Sequence, residues 1–211
     1  MANQYVLGVD FGTTGTKSVI YDLKGNEIGQ CYFNTPTTYP RPGWYAQDPA
    51  DVIEKSFLSV KGAIANAGVN PEDIIGVSFT HICTSFVPVD KDGNFLYHIL
   101  LWCDTRGAEM FPYIRECWEK AGIDEKIDYE MTGFPLGALP TLSKVLWFRK
   151  HHPDLWEKTD KIVGMHAMLC KAFTGENYYD DKPGIAYSKI ADATKFEFNP
   201  DWAKMYDLDL S

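Results

Sequence analysis

No apolar run in this chain approaches the ~18 residues a membrane-spanning helix needs. The first residues, Met1-Ala2-Asn3-Gln4-Tyr5, carry no basic stretch followed by an apolar core, so no secretion signal is read there. Basic residues are outnumbered: 20 Lys+Arg against 29 Asp+Glu give a formal net charge of −9, which disfavours nucleic acid as a partner. The five cysteines, Cys31, Cys83, Cys103, Cys117 and Cys170, form no C-x-x-C pair and are odd in number. Free thiols in a reducing, cytoplasmic setting are therefore expected, rather than a disulfide framework or a zinc site. Fixed-period repeats and low-complexity tracts are also missing. What remains is an ordinary globular balance, 45% hydrophobic and 23% charged over 211 residues, enough to bury a sizeable core in one or two domains.

Against that plain background one stretch stands out, V-L-G-V-D-F-G-T-T-G-T-K-S-V-I-Y-D from Val6 to Asp22. An apolar strand ends in Asp10, a tight turn follows, and a second alternating strand leaves it. Gly12 and Gly15 can take positive φ and let backbone approach a ligand closely. Thr13, Thr14 and Thr16 offer hydroxyls, and Lys17 offers a mobile positive charge suited to phosphate oxygens. Asp10 is placed to hold a hydrated Mg²⁺. The P-loop, G-x-x-x-x-G-K-[ST], is the nearest rival, but Thr16 stands at its second glycine and the sequel reads as strand, not helix. A plain hairpin connection with no ligand is the other reading of the same turn.

Val6–Asp10, Lys17–Leu23 and Ile28–Asn34 read as strands, with Lys24-Gly25-Asn26 as a turn. Asp48 and Pro49 then start a helix to about Ala67, with Ile53, Phe57, Val60 and Ile64 as its apolar stripe. Ile74–Thr80, Ser85–Asp90 and Ile99–Trp102 read as strands. Helices are expected from Thr105 into Ala121, over Leu142–His151, and from Met165 to Phe173 after a buried strand at Lys161–Gly164. This is an α/β pattern.

The D-F-G-T-T-G-T-K turn resembles the first phosphate motif of the FGGY carbohydrate kinases, within the group of actin, hexokinase and the heat-shock ATPases. The loop from Pro40 through Gly43 and Trp44 to Asp48 is similar to that family's P-x-x-G-W-x-x-Q-D-P, and packing explains it well enough. Trp102-Cys103-Asp104-Thr105-Arg106 resembles its W-x-D-x-R beside the sugar or polyol. Packing also accounts for Lys144 and Trp147, which match a family helix. Thr174-Gly175-Glu176 resembles the turn that leads to the catalytic aspartate. The departures lie at Thr80, where a glutamine is usual, and at His81 and Ile82, where glycerol kinases carry arginine and glutamate. Ala167 stands where an acid is usual. Against T-D-x-S-x-A-S, counting forward from the turn favours Asp180 and counting back from Ala186 favours Asp181. Asp181 is preferred, and Asp192 is a remote third.

The resemblance implies a ribonuclease H-like, actin-like ATPase domain, with a mixed sheet flanked by helices. It implies ATP and Mg²⁺ as cofactors and in-line transfer of a phosphoryl group to a small carbohydrate or polyol, with xylulokinase- or gluconokinase-like chemistry favoured over glycerol kinase. Asp181 or Asp180 would be the base. Asp10, Gly12, Thr13, Thr14, Gly15 and Lys17 would meet the phosphates, and Thr80, His81, Trp102, Asp104 and Arg106 the sugar. A second, C-terminal, adenine-binding domain is implied outside residues 1–211. The chain therefore reads as an incomplete N-terminal domain, inactive by itself, its oligomeric state open and a homodimer included. The alternative is a non-catalytic sugar- or nucleotide-binding module on the same fold.

Overall fold

The computed structural model describes residues 4–176 and 187–209, which divide into two compact units. Each is described by itself. The first holds residues 1–38 and 47–82, and the second residues 39–46 and 83–211.

In the first unit, three alternating segments fold into an antiparallel meander: β1 (Tyr5–Phe11), β2 (Gly15–Asp22) and β3 (Glu27–Asn34). A crossover through α1 (Pro49–Ala67) then lays β5 (Ile74–His81) parallel to β1, so the sheet is mixed, in the order β3-β2-β1-β5. α1 begins and ends where its sequence dictates. The Asp48 carboxylate accepts from the N–H groups of Ala50 and Asp51, Pro49 opens the first turn, and Gly68 closes the last in the left-handed region.

The buried stripe of α1 differs from the one expected. Val52, Ser56, Ser59 and Ala63 are buried, whereas Ile53, Phe57, Val60 and Ile64, one residue further round, are half-buried. One residue turns a helix by about 100°. Small side chains win the face because the helix lies close on the strands. The Ser18 and Ser59 hydroxyls meet at 2.6 Å, and a Cβ added at Gly62 would come within 2.4 Å of the Cys31 sulfur.

The second unit carries its own four-stranded sheet, in the order β4-β7-β6-β8. Its strands are β4 (Ala46–Gln47), β6 (Phe86–Val89), β7 (Ile99–Leu100) and β8 (Lys161–Gly164), with β6 antiparallel to β7 and β8. The expected helix from Thr105 starts instead as a 3₁₀ turn, Arg106–Met110, and becomes α2 at Phe111–Ala121. α3 (Glu125–Thr132) was not expected. It follows an Asp124 cap and ends at Gly133. α4 (Thr141–His151) ends one residue before the short α5 (Pro153–Trp156), and α6 (Met165–Thr174) follows β8 directly. A two-strand ribbon, β9 (Ala191–Asp192) with β10 (Glu197–Phe198), leads to α7 (Pro200–Met205).

The core of this unit gathers Ile114 and Trp118 of α2, Leu146 to Phe148 of α4, and Trp202 with Tyr206. The Trp118 indole N–H donates to the Tyr206 hydroxyl at 2.7 Å. A second buried polar knot ties Lys189 to α3. Its ammonium pairs with Asp128 and donates to the Thr132 hydroxyl at 3.2 Å and the Phe134 carbonyl at 2.8 Å. Among the described residues no helix is long and apolar enough to cross a membrane.

Candidate functional site

In the first unit the sheet register assembles the phosphate candidates. Asp10 lies directly opposite Lys17 on β2 and opposite Thr80 on β5. Directly opposed residues share one face of a sheet. Ser18, next to Lys17, bonds to Ser59 of α1, so Asp10, Lys17 and Thr80 stand on the face away from that helix. They line an open depression of about 350 Å³ together with Gly8, Tyr21 and Ser78. Asp10 and Lys17 are exposed, and neither has an ion-pair partner among the described residues.

The turn above this face is braced from below. Gly12 N–H donates to Gly15 O at 3.0 Å, Thr35 N–H donates to Thr14 O at 3.0 Å, and the Gln47 amide donates to Thr13 O at 2.8 Å. Positive φ, expected of Gly12 and Gly15, is found at neither. Gly15 is there for room: a Cβ would sit 2.3 Å from the Phe33 carbonyl oxygen. Thr16, counted among the hydroxyls, is buried at 2% exposure and faces inward, whereas Thr13 and Thr14 stay at least partly open. His81 is half-buried, with Nδ1 3.3 Å from the Ile82 carbonyl.

In the second unit the W-x-D-x-R residues separate into two kinds. Trp102 is 42% exposed, and its backbone N–H donates to the Ser85 hydroxyl at 3.0 Å. Asp104 and Arg106 are buried against each other. Arg106 Nε and Nη2 donate to Asp104 Oδ1 and Oδ2 at 2.9 and 2.8 Å, and the N–H groups of Arg106 and Tyr45 fill the other two positions, at 2.9 and 2.6 Å. The guanidinium also lies over Trp44 and Trp147, 4.2 and 4.9 Å from the ring centroids. The pair thus clamps the Tyr39–Ala46 loop to the rest of the unit.

Beside them lies Lys144 of α4, with no exposure at all. Its ammonium faces four backbone carbonyls: Ala138 at 3.0 Å, Leu139 at 3.3 Å, Leu101 at 3.4 Å and Trp102 at 3.5 Å. Burial lowers its pKa to about 8, the nearby Asp104 opposing that change. Burial also raises the pKa of the Cys103 thiol.

Thr84, just before β6, is β-branched yet holds φ at 56°, and its buried hydroxyl has no partner among the described residues. Asp180 and Asp181 lie outside the described residues. Asp192 is the last residue of β9. Its carboxylate accepts from the Thr194 N–H and hydroxyl and pairs with Lys195, which together lower its pKa to about 2. So acidic a group is a poor proton acceptor. Among the described residues no cluster of three or more His, Cys, Asp or Glu is placed to hold a metal ion.

Residues 5–211 match the description "FGGY family of carbohydrate kinases, N-terminal domain". The chain belongs to the FGGY family. Its sequence is similar to the glycerol kinase of Thermococcus onnurineus, 31% identical over 84% of this chain and 36% of that protein. This FGGY chain also superimposes on the xylulose kinase of Rhodospirillum rubrum, with a TM-score of 0.88 at 20% identity over 98% of this chain and 41% of that one. The gluconate kinase of Lactobacillus acidophilus gives a TM-score of 0.83 at 20% identity over 99% and 40%. At such identities the superpositions establish the fold alone, the one these kinases share. The chain spans about two fifths or less of the length of each of these relatives.

Proposed function

We propose that this chain takes part in ATP-dependent phosphorylation of a hydroxyl on a small sugar, sugar acid or polyol. The observation that carries this reading is the pair Asp10 and Lys17, opposed on one exposed face, unpaired among the described residues, and flanked by Thr80, in a chain of a carbohydrate-kinase family. Two opposite charges left without ion pairs on neighbouring strands suit a ligand that carries both phosphate and metal. Lys17 would hold phosphate oxygens, and the Gly12–Thr14 backbone and hydroxyls would add neutral donors. Asp10 would orient the hydration shell of Mg²⁺, which characteristically takes only one or two carboxylates plus phosphates and water. ATP with its metal supplies the transferable phosphoryl group.

Trp102 offers an exposed indole face to a carbon skeleton, and Thr80 and His81 offer hydrogen bonds to hydroxyls. Asp104 and Arg106 would shape the pocket by holding the Tyr39–Ala46 loop, since both carboxylate oxygens are committed elsewhere. Asp181, or Asp180, would accept the proton of the attacking hydroxyl. Adenine would be held by a second domain of the kind the resemblance implies. The departures at His81 and Ile82, where glycerol kinases carry arginine and glutamate, favour a xylulose- or gluconate-type substrate over glycerol, although the sequence relative at 31% bears the name glycerol kinase.

An ADP-release screen of the complete gene product over ketopentoses, aldonates, tetritols and glycerol tests this. Turnover on one panel member is expected. Asp10→Asn and Lys17→Met should each lower it by roughly a hundredfold or more, and only one of Asp180→Asn and Asp181→Asn should abolish it. Silence across the panel with ligand-induced stabilisation retained would favour the non-catalytic binding module, the reading that the departures at His81, Ile82 and Ala167 support.

A further inference from the structure

Lys144 is a buried charge with no carboxylate of its own among the described residues. Asp104 spends its oxygens on Arg106, Tyr45 and the turn that Arg106 opens. An ammonium has three donors, here spread among four carbonyls from two loops: Leu101 and Trp102 after β7, and Ala138 and Leu139 before α4. Filling the space needs no charge. Met or Leu at this buried position would avoid the desolvation that burying a cation costs. What the ammonium alone supplies is a tether between the two loops.

We propose that Lys144 is a positioning residue, pinning the Trp102 peptide to the 138–139 loop and so fixing how the exposed indole is presented. The consequence for sugar affinity rests on the reading that Trp102 meets the substrate; the tether itself does not.

The charged and titratable groups facing Lys144 are Asp104, Cys103 and Arg106. Asp104 and Arg106 are locked in their own pair. Cys103 is the neighbour that also titrates on the alkaline side, so Cys103→Ser serves as the control.

The test is fluorine NMR of the complete gene product carrying fluorotryptophan, the Trp102 signal being identified by its loss in Trp102→Phe. In the wild type that signal should move with a midpoint near pH 8, and should still do so in Cys103→Ser. In Lys144→Met it should be displaced and insensitive to pH. A Trp102 signal unmoved by pH from about 7 to about 11.5, a range that also spans an ordinary lysine, overturns the inference; the titration itself is read on the wild type, and Trp102→Phe serves only to assign the signal. In kinetics, Lys144→Met should raise the sugar KM about fivefold to tenfold with kcat within about twofold, and add nothing to Trp102→Ala. Additive effects on KM would overturn the tether as the route to the sugar. An unchanged KM in Trp102→Ala, with the fluorine result intact, would instead defeat the substrate reading of Trp102 and leave the tether standing.

Discussion

Asp104 illustrates what a single residue can hide. By type and spacing it reads first as a hydrogen-bond acceptor for a sugar and second as an exposed helix cap, because its sequence neighbours do not reveal how deeply it is buried. The structure gives it no exposure and a bidentate arginine partner whose side chain is 1% exposed. Removing one member of such a pair leaves the other charged, buried and alone, which costs about 3–5 kcal/mol. Asp104→Ala should therefore lower the urea-unfolding free energy by roughly that amount. Arg106→Lys should lose part of it, since a lysine cannot reproduce the forked contact or the stacking between Trp44 and Trp147. If Asp104→Ala left stability within about 0.5 kcal/mol of wild type and raised only the sugar KM, the carboxylate would be a substrate group after all.

At the scale of elements, legibility followed how local the determining signal is. The β1–β2 hairpin, the Asp48 cap of α1, and the β8–α6 unit were all readable because alternation, capping and turn residues act within a few positions. The buried stripe of α1 was not. Hydrophobicity pointed to Phe57 and Ile64, whereas close packing on β2 and β3 selected Ser56, Ser59 and Ala63, a choice made by the sheet. α3 was missed because Glu125–Thr132 is short and polar, its only local marks being Asp124 and Gly133. For the site, the hairpin that sets Asp10 opposite Lys17 was legible as two strands and a turn, while the buried cation Lys144 and the strained Thr84 needed three dimensions.

Thr84 yields an element-scale prediction. A β-branched residue held at positive φ costs about 1–2 kcal/mol, and its unpartnered buried hydroxyl adds to that. Thr84→Gly forfeits some of the gain through unfolded-chain entropy and a lost methyl. The net outcome should be a stabilisation of about 1 kcal/mol, read as a higher urea midpoint with an unchanged slope. Destabilisation would mean the threonine side chain contributes packing that exceeds its strain.

For the whole molecule, the buried Lys144 makes stability depend on pH in a direction opposite to that of most paired lysines. Its folded pKa is depressed to about 8 from 10.5. Between those values the unfolded chain holds the proton and the folded one does not, so the unfolded state binds more protons and stability rises with pH. Below about pH 8 the full cost of burying the charge is present, and above about 10.5 it has been relieved. The size of the change is about 3 kcal/mol, because each tenfold difference in proton affinity between the two states is worth about 1.4 kcal/mol. Other lysines, tyrosines and the Cys103 thiol titrate in the same range, so the absolute profile is a composite. The difference between wild type and Lys144→Met removes whatever the two proteins share. Urea unfolding of both, from about pH 7.5 to 10.5, should show the wild type gaining on the variant by about 3 kcal/mol across the window. Parallel profiles would mean that the four carbonyls solvate the ammonium as well as water does. The tether would then carry no energetic cost, and the alkaline transition expected of Trp102 would have to move up toward the pKa of an ordinary lysine.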